Sequence, residues 1–180
     1  MPGLILVTDP DRTPDPVALA ERLPKGSGVI FRGFGRPGAR KTARRLAAVA
    51  RRRDLMLLIG ADAIRSAGAG VHLPERLAHR AGVLKRARGR LIVTAAAHSL
   101  PALIAARRAG ADAALLSTVF SSKSPSARAP LGPVRFAALV RRAGLPVYAL
   151  GGVGTKNARR LLGSGAAGLA MVEGLAKALR

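Results

Sequence analysis

The chain has 180 residues, of which 49% are hydrophobic, with no cysteine and a formal net charge of +22 at pH 7. This length predicts one domain over residues 1–180 that buries a sizeable core. The lack of cysteine excludes a disulfide framework and a thiolate metal site, and no apolar run approaches the ~18 residues of a membrane span. The apolar opening stretch LILV is too short for a signal peptide, so we expect a soluble, cytoplasmic protein without a membrane partner.

The positive charge is spread over several predicted helices. In the segment 38–53 the Ala and Leu residues follow helical spacing, and the arginines occupy the opposite face. Arg-Arg pairs recur at 107–108, 141–142 and 159–160, and no aromatic residues are interleaved with them, as binding to single strands would need. We interpret these arginines as solvated outer faces of helices and expect no nucleic-acid partner. A surface that binds polyanions stays open as the alternative.

Short apolar runs alternate with helical patterns along the whole chain. The predicted strands are LILVT (4–8), GVIFR (28–32), LMLLI (55–59), GVHL (70–73), LIVTA (91–95), AALLS (113–117), VYALG (147–151) and GLAMV (168–172). The predicted helices lie near 15–22, 37–53, 61–67, 75–87, 99–109, 133–143, 155–164 and 173–179. Continuous apolar runs are typical of parallel strands buried on both faces. Eight alternations predict an α/β fold, a compact (β/α)₈ TIM barrel, with an open doubly wound sheet as the alternative.

Glycines that precede predicted strands form a weak internal repeat. Gly26, Gly68, Gly110 and Gly165 follow one another at intervals of 42, 42 and 55 residues, which favours paired strand–helix units and an even strand count. The longest interval contains the segment VFSSKSPSARAPLG (119–132), which is rich in serine and proline. We therefore predict an insertion between the sixth strand and the next helix. Such a loop lies on the catalytic face of a barrel, so it is a candidate binding loop.

The clearest local motif is ALGGVGTKNARRLL, residues 149–162. A predicted strand runs into Gly-Gly-x-Gly, followed by Thr155 in the N-cap position of a predicted helix. The backbone N–H groups around Gly151 and Gly152 would then cradle an anion. In barrels this position recurrently binds phosphate, although an ordinary loop turn would show a similar glycine pattern.

Other side chains predicted at the same face suggest further chemistry. Ser121 and Lys123 supply a hydroxyl and a cation that suit a second anion, or simply a solvated loop. His98 follows the fifth strand, where an imidazole can move protons near neutral pH or serve only the start of the next helix. Metal binding would need carboxylates, and Asp62 and Glu75 are weak candidates for that role.

Several motifs together resemble the thiamine phosphate synthase family, including its thiazole tautomerase branch. The motifs are LVTD (6–9), VIFR (29–32), GAGVHL (68–73), AHS (97–99), GADAALLSTVFSSKS (110–124), PLG (130–132), PVYALGGV (146–153) and GAAGLAMV (165–172). The resemblance covers nearly the whole chain and implies a (β/α)₈ barrel. It also implies one of two reactions. The synthase joins a pyrimidine diphosphate to a thiazole phosphate with Mg²⁺ and releases pyrophosphate, whereas the tautomerase moves a proton on a thiazole carboxylate phosphate.

The resemblance assigns roles to individual residues. Arg32 and Lys123 match the family's diphosphate-binding arginine and lysine, and Gly151 and Gly152 match its backbone donors to thiazole phosphate. His98 stands where the tautomerase branch carries its catalytic histidine. Val172 precedes the family's phosphate-binding serine, and in this chain that next position is Glu173.

Other positions depart from the family pattern. Phe34 stands where a lysine is expected, Gly60 and Ala61 replace an Asn-Asp pair, and Glu75 falls in a stretch that should read Gly-Gln-x-Asp. These changes remove carboxylates that would hold Mg²⁺, which makes that cofactor doubtful. A carboxylate at Glu173 would repel a phosphate. A homo-oligomer is compatible with the sequence.

Three hypotheses follow. The leading one is a diverged family member that binds a thiazole-phosphate-like ligand, with synthase activity weakened or absent and proton transfer by His98. The second is an active synthase in which Asp62 and Glu75 hold Mg²⁺. The third is a non-catalytic, basic barrel that binds a ligand or nucleic acid.

Overall fold

The computed structural model describes residues 1–61, 70–124 and 127–178 of the chain. It contains the strands β1 (Leu4–Val7), β2 (Gly28–Phe31), β3 (Met56–Gly60), β4 (Gly70–Leu73), β5 (Val93–Ala97), β6 (Ala113–Leu116), β7 (Val147–Ala149) and β8 (Gly168–Met171). Each lies within two residues of its predicted position. Nearly every strand residue is buried, which agrees with the continuous apolar runs that predicted them.

Helices follow most of these strands on the outside. They are α1 (Pro16–Glu21), α2 (Ala39–Arg53), α3 (Ala81–Arg88), α4 (Leu100–Arg108), α5 (Gly132–Ala143) and α6 (Glu173–Ala178), with 3₁₀ helices at Glu75–Arg80 and Ala158–Leu161. In the described part of the chain, no helix combines the length and the apolar character needed to cross a membrane.

The eight strands are all parallel and close into one barrel in sequence order. Strand β1 pairs with β2 on one side, with Ile5 opposite Gly28, and with β8 on the other side, with Ile5 opposite Ala170. The predicted (β/α)₈ barrel is confirmed, and the alternative of an open doubly wound sheet is wrong.

The core has an inner and an outer layer because successive strand residues point to opposite faces. The side chains inside the barrel include Ile5, Val7, Ile30, Leu58, Leu115, Tyr148 and Ala170. Intervening residues such as Leu6 and Val29 pack against the helices. The hydroxyl of the buried Tyr148 donates a hydrogen bond to the carbonyl oxygen of Pro2 at 2.6 Å, so this ring fills the core without an unsatisfied polar atom.

Some predicted elements differ from those in the structure. Strand β5 lies two residues later than predicted, because its alanines, rather than Leu91 and Ile92, pair with β6. The helix predicted near 75–87 begins as a 3₁₀ helix and becomes α-helical only at Ala81. The helix predicted over 155–164 is wrong, since only the 3₁₀ turn Ala158–Leu161 forms there. The predicted helix 61–67 and the repeat glycine Gly68 fall almost entirely in residues 62–69, outside the described part of the chain.

The long connection between β6 and α5 is present at the predicted place, and its two ends are anchored. The N–H of Val119 donates to the carbonyl of Leu150 at 3.0 Å, next to the turn that contains Gly151 and Gly152, which we call the glycine turn. At the other end, the N–H of Leu131 donates to the carbonyl of Thr118 at 2.9 Å. These bonds hold the loop over the ends of β6 and β7. Residues 125 and 126 lie outside the described chain.

His72 of β4 is a core histidine, as its apolar surroundings in the sequence indicate. The side chain is buried, and its Nδ1 lies 2.9 Å from Oγ1 of Thr94. Burial lowers the pKa of His72 to about 4, and the positive charge of Arg32 acts in the same direction. The folded protein therefore holds this imidazole neutral in a pH range where the unfolded chain protonates it.

We predict that His72 makes the folded state less stable in acid. Between the unfolded pKa of about 6.5 and the folded pKa of about 4, the unfolded state binds more protons, so stability falls as the pH is lowered. The loss should reach about 3 kcal/mol at the acid end of this range.

Urea unfolding of the parent and of His72→Asn, at neutral pH and near pH 5, measures this loss of stability. The gap in unfolding free energy between the two proteins should change with pH, whereas His79→Asn, at an exposed histidine, should follow the parent. Parallel pH profiles for the parent and His72→Asn would contradict the prediction.

Candidate functional site

A cavity of about 520 Å³ opens at the carboxyl ends of the strands. It is bounded by the ends of β1 and β2, by the loop that follows β6, by the turn at residues 150–157 and by residues 170–174. These segments follow different strands, and the closed barrel brings them together at one mouth. The cavity is therefore placed where barrels carry their ligand sites.

Most of the site residues predicted from the sequence line this one cavity. They are Arg32, Ser121, Lys123, Gly151, Gly152, Val172 and Glu173. Two of the predicted positions, His98 and Glu75, do not line it. The cavity thus gathers the residues predicted to bind anions and leaves out the predicted proton-transfer residue.

The guanidinium of Arg32 is held in place by the end of β1. Its Nε donates to the carbonyl of Thr8 at 2.8 Å, and its Nη2 lies 3.2 Å from Oδ2 of Asp9. The same carboxylate oxygen accepts from Nη2 of Arg12 at 2.8 Å. One carboxylate therefore bridges two guanidinium groups at the cavity edge, and it orients both of them before any ligand arrives.

This bridge changes the proton affinity of its members. The hydrogen bond from Arg12 is the main reason why the pKa of Asp9 lies below its ordinary value, and the charges of Arg12 and Arg32 add to it. The same bond raises the pKa of Arg12. Asp9 thus stays ionised and Arg12 stays charged over the range in which proteins normally work. Arg12 was not among the site residues predicted from the sequence, although its position three residues after Asp9 in TDPDR is a signal for such a pair.

Glu173 adds a second carboxylate at this edge. It stands at the start of α6, and its Oε1 lies 4.0 Å from Nη1 of Arg12. Arg12 therefore sits between two carboxylates, Asp9 and Glu173, and draws the second one toward β1. An anion that enters the cavity meets Glu173 as well as the cations, so this side chain limits which ligands fit.

Two lysines complete the lining. Lys123 comes from the loop after β6, and Lys156 comes from the turn after β7; both are exposed. Neither forms an ion pair with a carboxylate of the described residues, so both ammonium groups can turn toward a ligand. Lys156 was not among the site residues predicted from the sequence, although it lies in the motif GVGTK, two residues after Gly154.

The glycine turn is held by a side chain and not by a long helix. The amide of Asn157 spans it, accepting from the N–H of Gly154 at 3.0 Å and donating to the carbonyl of Gly152 at 2.8 Å. Gly151 and Gly152 have positive φ values of 89° and 65°. No carbonyl of the described residues accepts from their N–H groups, which leaves two backbone donors beside the cavity. The donors of the predicted cradle are present, but the helix dipole expected behind Thr155 is missing, because the 3₁₀ helix has only four residues.

Gly152 also lets the loop after β6 approach the turn. A Cβ atom at this position would lie 2.6 Å from the carbonyl oxygen of Phe120 and closer still to that of Ser121. The N–H of Phe120 donates to the carbonyl of Gly151 at 2.9 Å, which keeps the two backbones in contact. The absence of a side chain at Gly152 is thus what allows Ser121 and Lys123 to share a cavity with the turn.

His98 and Glu75 form a pair of their own next to this site. Nδ1 of His98 lies 2.7 Å from Oε2 of Glu75, and both side chains are partly exposed. Because a carboxylate can only accept a hydrogen bond, Nδ1 carries the hydrogen and Nε2 of a neutral ring is left as an acceptor. The pair stands just after the carboxyl ends of β4 and β5, and the carboxylate orients the imidazole.

The carboxylates Asp9 and Glu75 near the mouth are engaged by other side chains. Glu75 is bonded to His98, and Asp9 is bonded to two arginines. Within residues 1–61, 70–124 and 127–178, no three acidic or histidine side chains come together in a way that could hold a metal ion. Mg²⁺ is usually held by one or two carboxylates together with phosphate oxygens of the substrate, and Asp9 and Glu75 already form hydrogen bonds to other side chains. The other candidate, Asp62, lies outside the described residues.

Comparison with protein families gives one match over almost the whole chain. The family described as thiamine monophosphate synthase matches residues 4–175. A relative from Aquifex aeolicus, provisionally named thiamine-phosphate synthase 2, is 34% identical over 117 residues, covering 65% of this chain and 59% of the relative. The thiamine-phosphate synthase of Bacillus velezensis is 27% identical over 176 residues, covering 91% of this chain and 78% of that protein. The match to the Aquifex relative therefore spans less than two thirds of its length.

Solved structures give the same fold. Thiamine phosphate pyrophosphorylase from Pyrococcus furiosus superposes with a TM-score of 0.80 at 22% identity, covering 98% of this chain and 91% of that one. At this identity the likeness supports the barrel architecture.

We predict that Gly152→Ala weakens both the fold and the site, because the new methyl group must displace the carbonyls of Phe120 and Ser121. Gly163→Ala is the matched control, since Gly163 has a similar φ of 73° but no atom within 4 Å of a new Cβ. The control should lower the free energy of unfolding by about 1–2 kcal/mol, because alanine must adopt the left-handed backbone conformation. Gly152→Ala should lower the free energy of unfolding by about 1–3 kcal/mol more than the control does, because of overpacking. Urea unfolding of both variants measures the difference, and equal losses would show that the loop contact contributes nothing.

Proposed function

The chain belongs to the thiamine monophosphate synthase family, and we propose that it is a diverged member that binds a thiazole-phosphate-like ligand at its barrel mouth. In this proposal the Mg²⁺-dependent joining of pyrimidine and thiazole is weakened or lost. The remaining chemistry is a proton transfer on the bound ligand, with His98 as the base.

One observation carries the binding part of the proposal. Arg32 and Lys123, which match the family's anion-binding residues, share a single cavity with the donor turn Gly151–Gly152. Guanidinium, ammonium and backbone N–H groups are the donors that phosphorylated ligands require. Asp9 holds Arg32 in place, so the site does not have to order this long side chain when the ligand binds, which favours affinity.

Two features support the loss of synthase chemistry. A bound metal ion would stabilise the charge that develops on a departing pyrophosphate, and the described carboxylates near the mouth are already engaged by arginines and by His98. Phe34 stands at the position of an expected lysine, and its ring packs 5.1 Å from the guanidinium carbon of Arg32. The ring contacts the arginine, but it cannot replace the missing positive charge.

The proton-transfer part rests on the His98–Glu75 pair. With Nδ1 bonded to Glu75, Nε2 is the atom that would take a proton from the ligand and return it at a second position. Glu75 would stabilise the imidazolium that forms between these two steps. The anionic end of the ligand would lie at the glycine turn, and the proposal requires its ring to extend beyond the cavity toward β5, where His98 stands.

The active synthase is the second candidate, and the retention of Arg32 and Lys123 favours it. Both residues match the family's diphosphate contacts, and both line the cavity. In that case Glu75 would have to leave His98 and join Asp62 around Mg²⁺. The experiment on His98 below separates the two candidates.

We predict that Glu173 weakens phosphate binding. Isothermal titration calorimetry with thiazole phosphate should show affinity about tenfold higher for Glu173→Ser than for the parent, a change of about 1.4 kcal/mol, because the repelling carboxylate is gone. Glu21→Ser, at the opposite end of the barrel, is the matched control and should bind as the parent does. Unchanged affinity in Glu173→Ser would contradict the assigned role of this carboxylate. No binding to any of the three proteins would overturn the proposed ligand class.

We predict that His98→Ala lowers turnover of thiazole carboxylate phosphate by about 10²–10⁴-fold, the usual contribution of a positioned general base. His79→Ala, at an exposed histidine near the start of α3, is the control and should keep the parent rate. NMR detection of proton exchange on the substrate provides the measurement. Equal rates for His98→Ala and the parent would end the tautomerase proposal. Pyrophosphate release from a pyrimidine diphosphate with Mg²⁺, abolished by Glu75→Ala, would establish the synthase instead.

A further inference from the structure

Acidic side chains are concentrated at the end of the barrel that carries the cavity. Those of the described residues at this end are Asp9, Asp11, Asp15, Glu75 and Glu173. Several of them are paired there, Asp9 with two arginines, Asp11 with Arg36 at 2.7 Å, and Glu75 with His98. These pairs compensate part of the positive charge at the mouth, so its cations are not the whole source of the net charge of +22.

The topology places a large share of the cations at the opposite end. In a parallel barrel each helix runs back against its strand, so all helix C-termini reach the same face. The last turn of each of the helices α2 to α5 is basic. Contacts between neighbouring loops confirm the shared face: Nζ of Lys85 reaches Oδ1 of Asp112 at 2.6 Å, and the side chain of Arg107 packs against Gly144.

We name this set of exposed cations the basic rim. It consists of Lys25, Arg51, Arg52, Arg86, Arg88, Arg90, Arg107, Arg108, Arg141 and Arg142. The acidic residues of the described chain at this end are Glu21, Asp54 and Asp112. Glu21 is paired with Arg52 and Asp112 with Lys85. The rim cations therefore far outnumber the carboxylates that could neutralise them.

Helix stability accounts for only part of this arrangement. A cation in the last turn of a helix interacts favourably with the helix dipole, and one such residue per helix would serve that purpose. Here adjacent arginines occur in three helices, α2, α4 and α5, that end at the same face, and like charges brought together repel one another. A bound polyanion would relieve that repulsion.

We propose that the basic rim is a docking surface for the phosphate backbone of duplex nucleic acid, bound without reading the sequence. Guanidinium groups pair with phosphate oxygens, and each contact releases condensed counterions from the duplex. The arginine pairs are dispersed along the sequence, which argues against a nucleic-acid site in the linear chain. The parallel topology brings the pairs at 51–52, 107–108 and 141–142 to one end of the barrel, whereas Arg160 packs against Phe120 of the loop after β6.

A duplex fits the rim better than a lipid surface does. Membrane-surface binding uses aromatic and leucine side chains next to the cations. Among the described residues, the exposed large apolar side chains that lead into strands include Ile92 directly before β5 and Leu162 between the last 3₁₀ helix and β8. Neither is aromatic, and the exposed aromatic Phe34 lies at the cavity end. The rim and the cavity occupy opposite ends of the barrel, so docking of a duplex would leave the ligand site accessible and would not depend on the proposed function.

The test compares two triple variants of the full chain that lose the same charge. The rim variant is Arg51→Gln, Arg108→Gln and Arg142→Gln, at exposed positions in three helices. The wall variant is Arg40→Gln, Lys41→Gln and Arg44→Gln, at exposed positions near the start of α2. Fluorescence anisotropy of a labelled mixed-sequence DNA duplex, from about 50 to 200 mM salt, measures affinity for the parent and both variants. Circular dichroism checks that all three are folded.

The parent should bind with an affinity that falls steeply with salt. The rim variant should lose at least about tenfold in affinity, and its salt dependence should be shallower by about 0.9 in slope for each lost phosphate contact. The wall variant should stay close to the parent. Equal losses in both variants, or no binding by the parent, would overturn the proposal.

Two further measurements test whether the duplex binds at the cavity instead and whether the rim binds a membrane surface. Lys123→Ala, at the cavity, should leave the affinity for the duplex unchanged. A larger loss of affinity than in the rim variant would show that the duplex binds at the mouth instead. Vesicles that contain phosphatidylserine should bind more weakly than the duplex at equal salt. Rim-dependent binding to vesicles alone would show that the partner is a membrane surface.

Discussion

The closure of the barrel between β8 and β1 is the constraint on which the rest of the structure depends. The N–H of Leu169 donates to the carbonyl of Gly3 at 3.0 Å, and Gly168 leaves room there, since a Cβ atom would collide with that carbonyl. Closure gives every strand two neighbours, and the crossover connections make all of these pairs parallel. All strand C-termini then meet at one mouth, and all helix C-termini meet at the other end. The ligand cavity and the basic rim are both consequences of this single arrangement.

Within the mouth, ion pairs decide which groups remain available to a ligand. Asp9 binds Arg12 and Arg32, while Glu75 binds His98. These two carboxylates orient two guanidinium groups and an imidazole. The glycine turn and the two lysines then supply the free donors. This arrangement is the basis of the proposal that the barrel binds an anion without the chemistry of the synthase.

The strands could be predicted closely because each is a short continuous apolar run that the parallel barrel buries on both faces. The long loop after β6 could also be located, since its serines and prolines interrupt that pattern. Seven of the predicted site residues share the cavity. The sequence carries local signals for Arg12, three residues after Asp9, and for Lys156, next to the glycines, but only folding shows that the turns after β1 and β7 place both in one cavity. The helix predicted behind Thr155 fails because Asn157 holds the turn with side-chain hydrogen bonds, which the glycine spacing does not reveal.

By itself, the sequence determined the alternation of strands and helices, the barrel fold and the family, because hydrophobic periodicity and local motifs are properties of contiguous residues. The tertiary structure alone decided how charges are paired. It joined Glu75 to His98 and bridged Arg12 to Arg32 through Asp9, contacts that depend on strand register and loop packing. It also turned arginine pairs scattered along the chain into one basic face. The physical reason is that electrostatic interactions depend on distance in space, which sequence separation does not report.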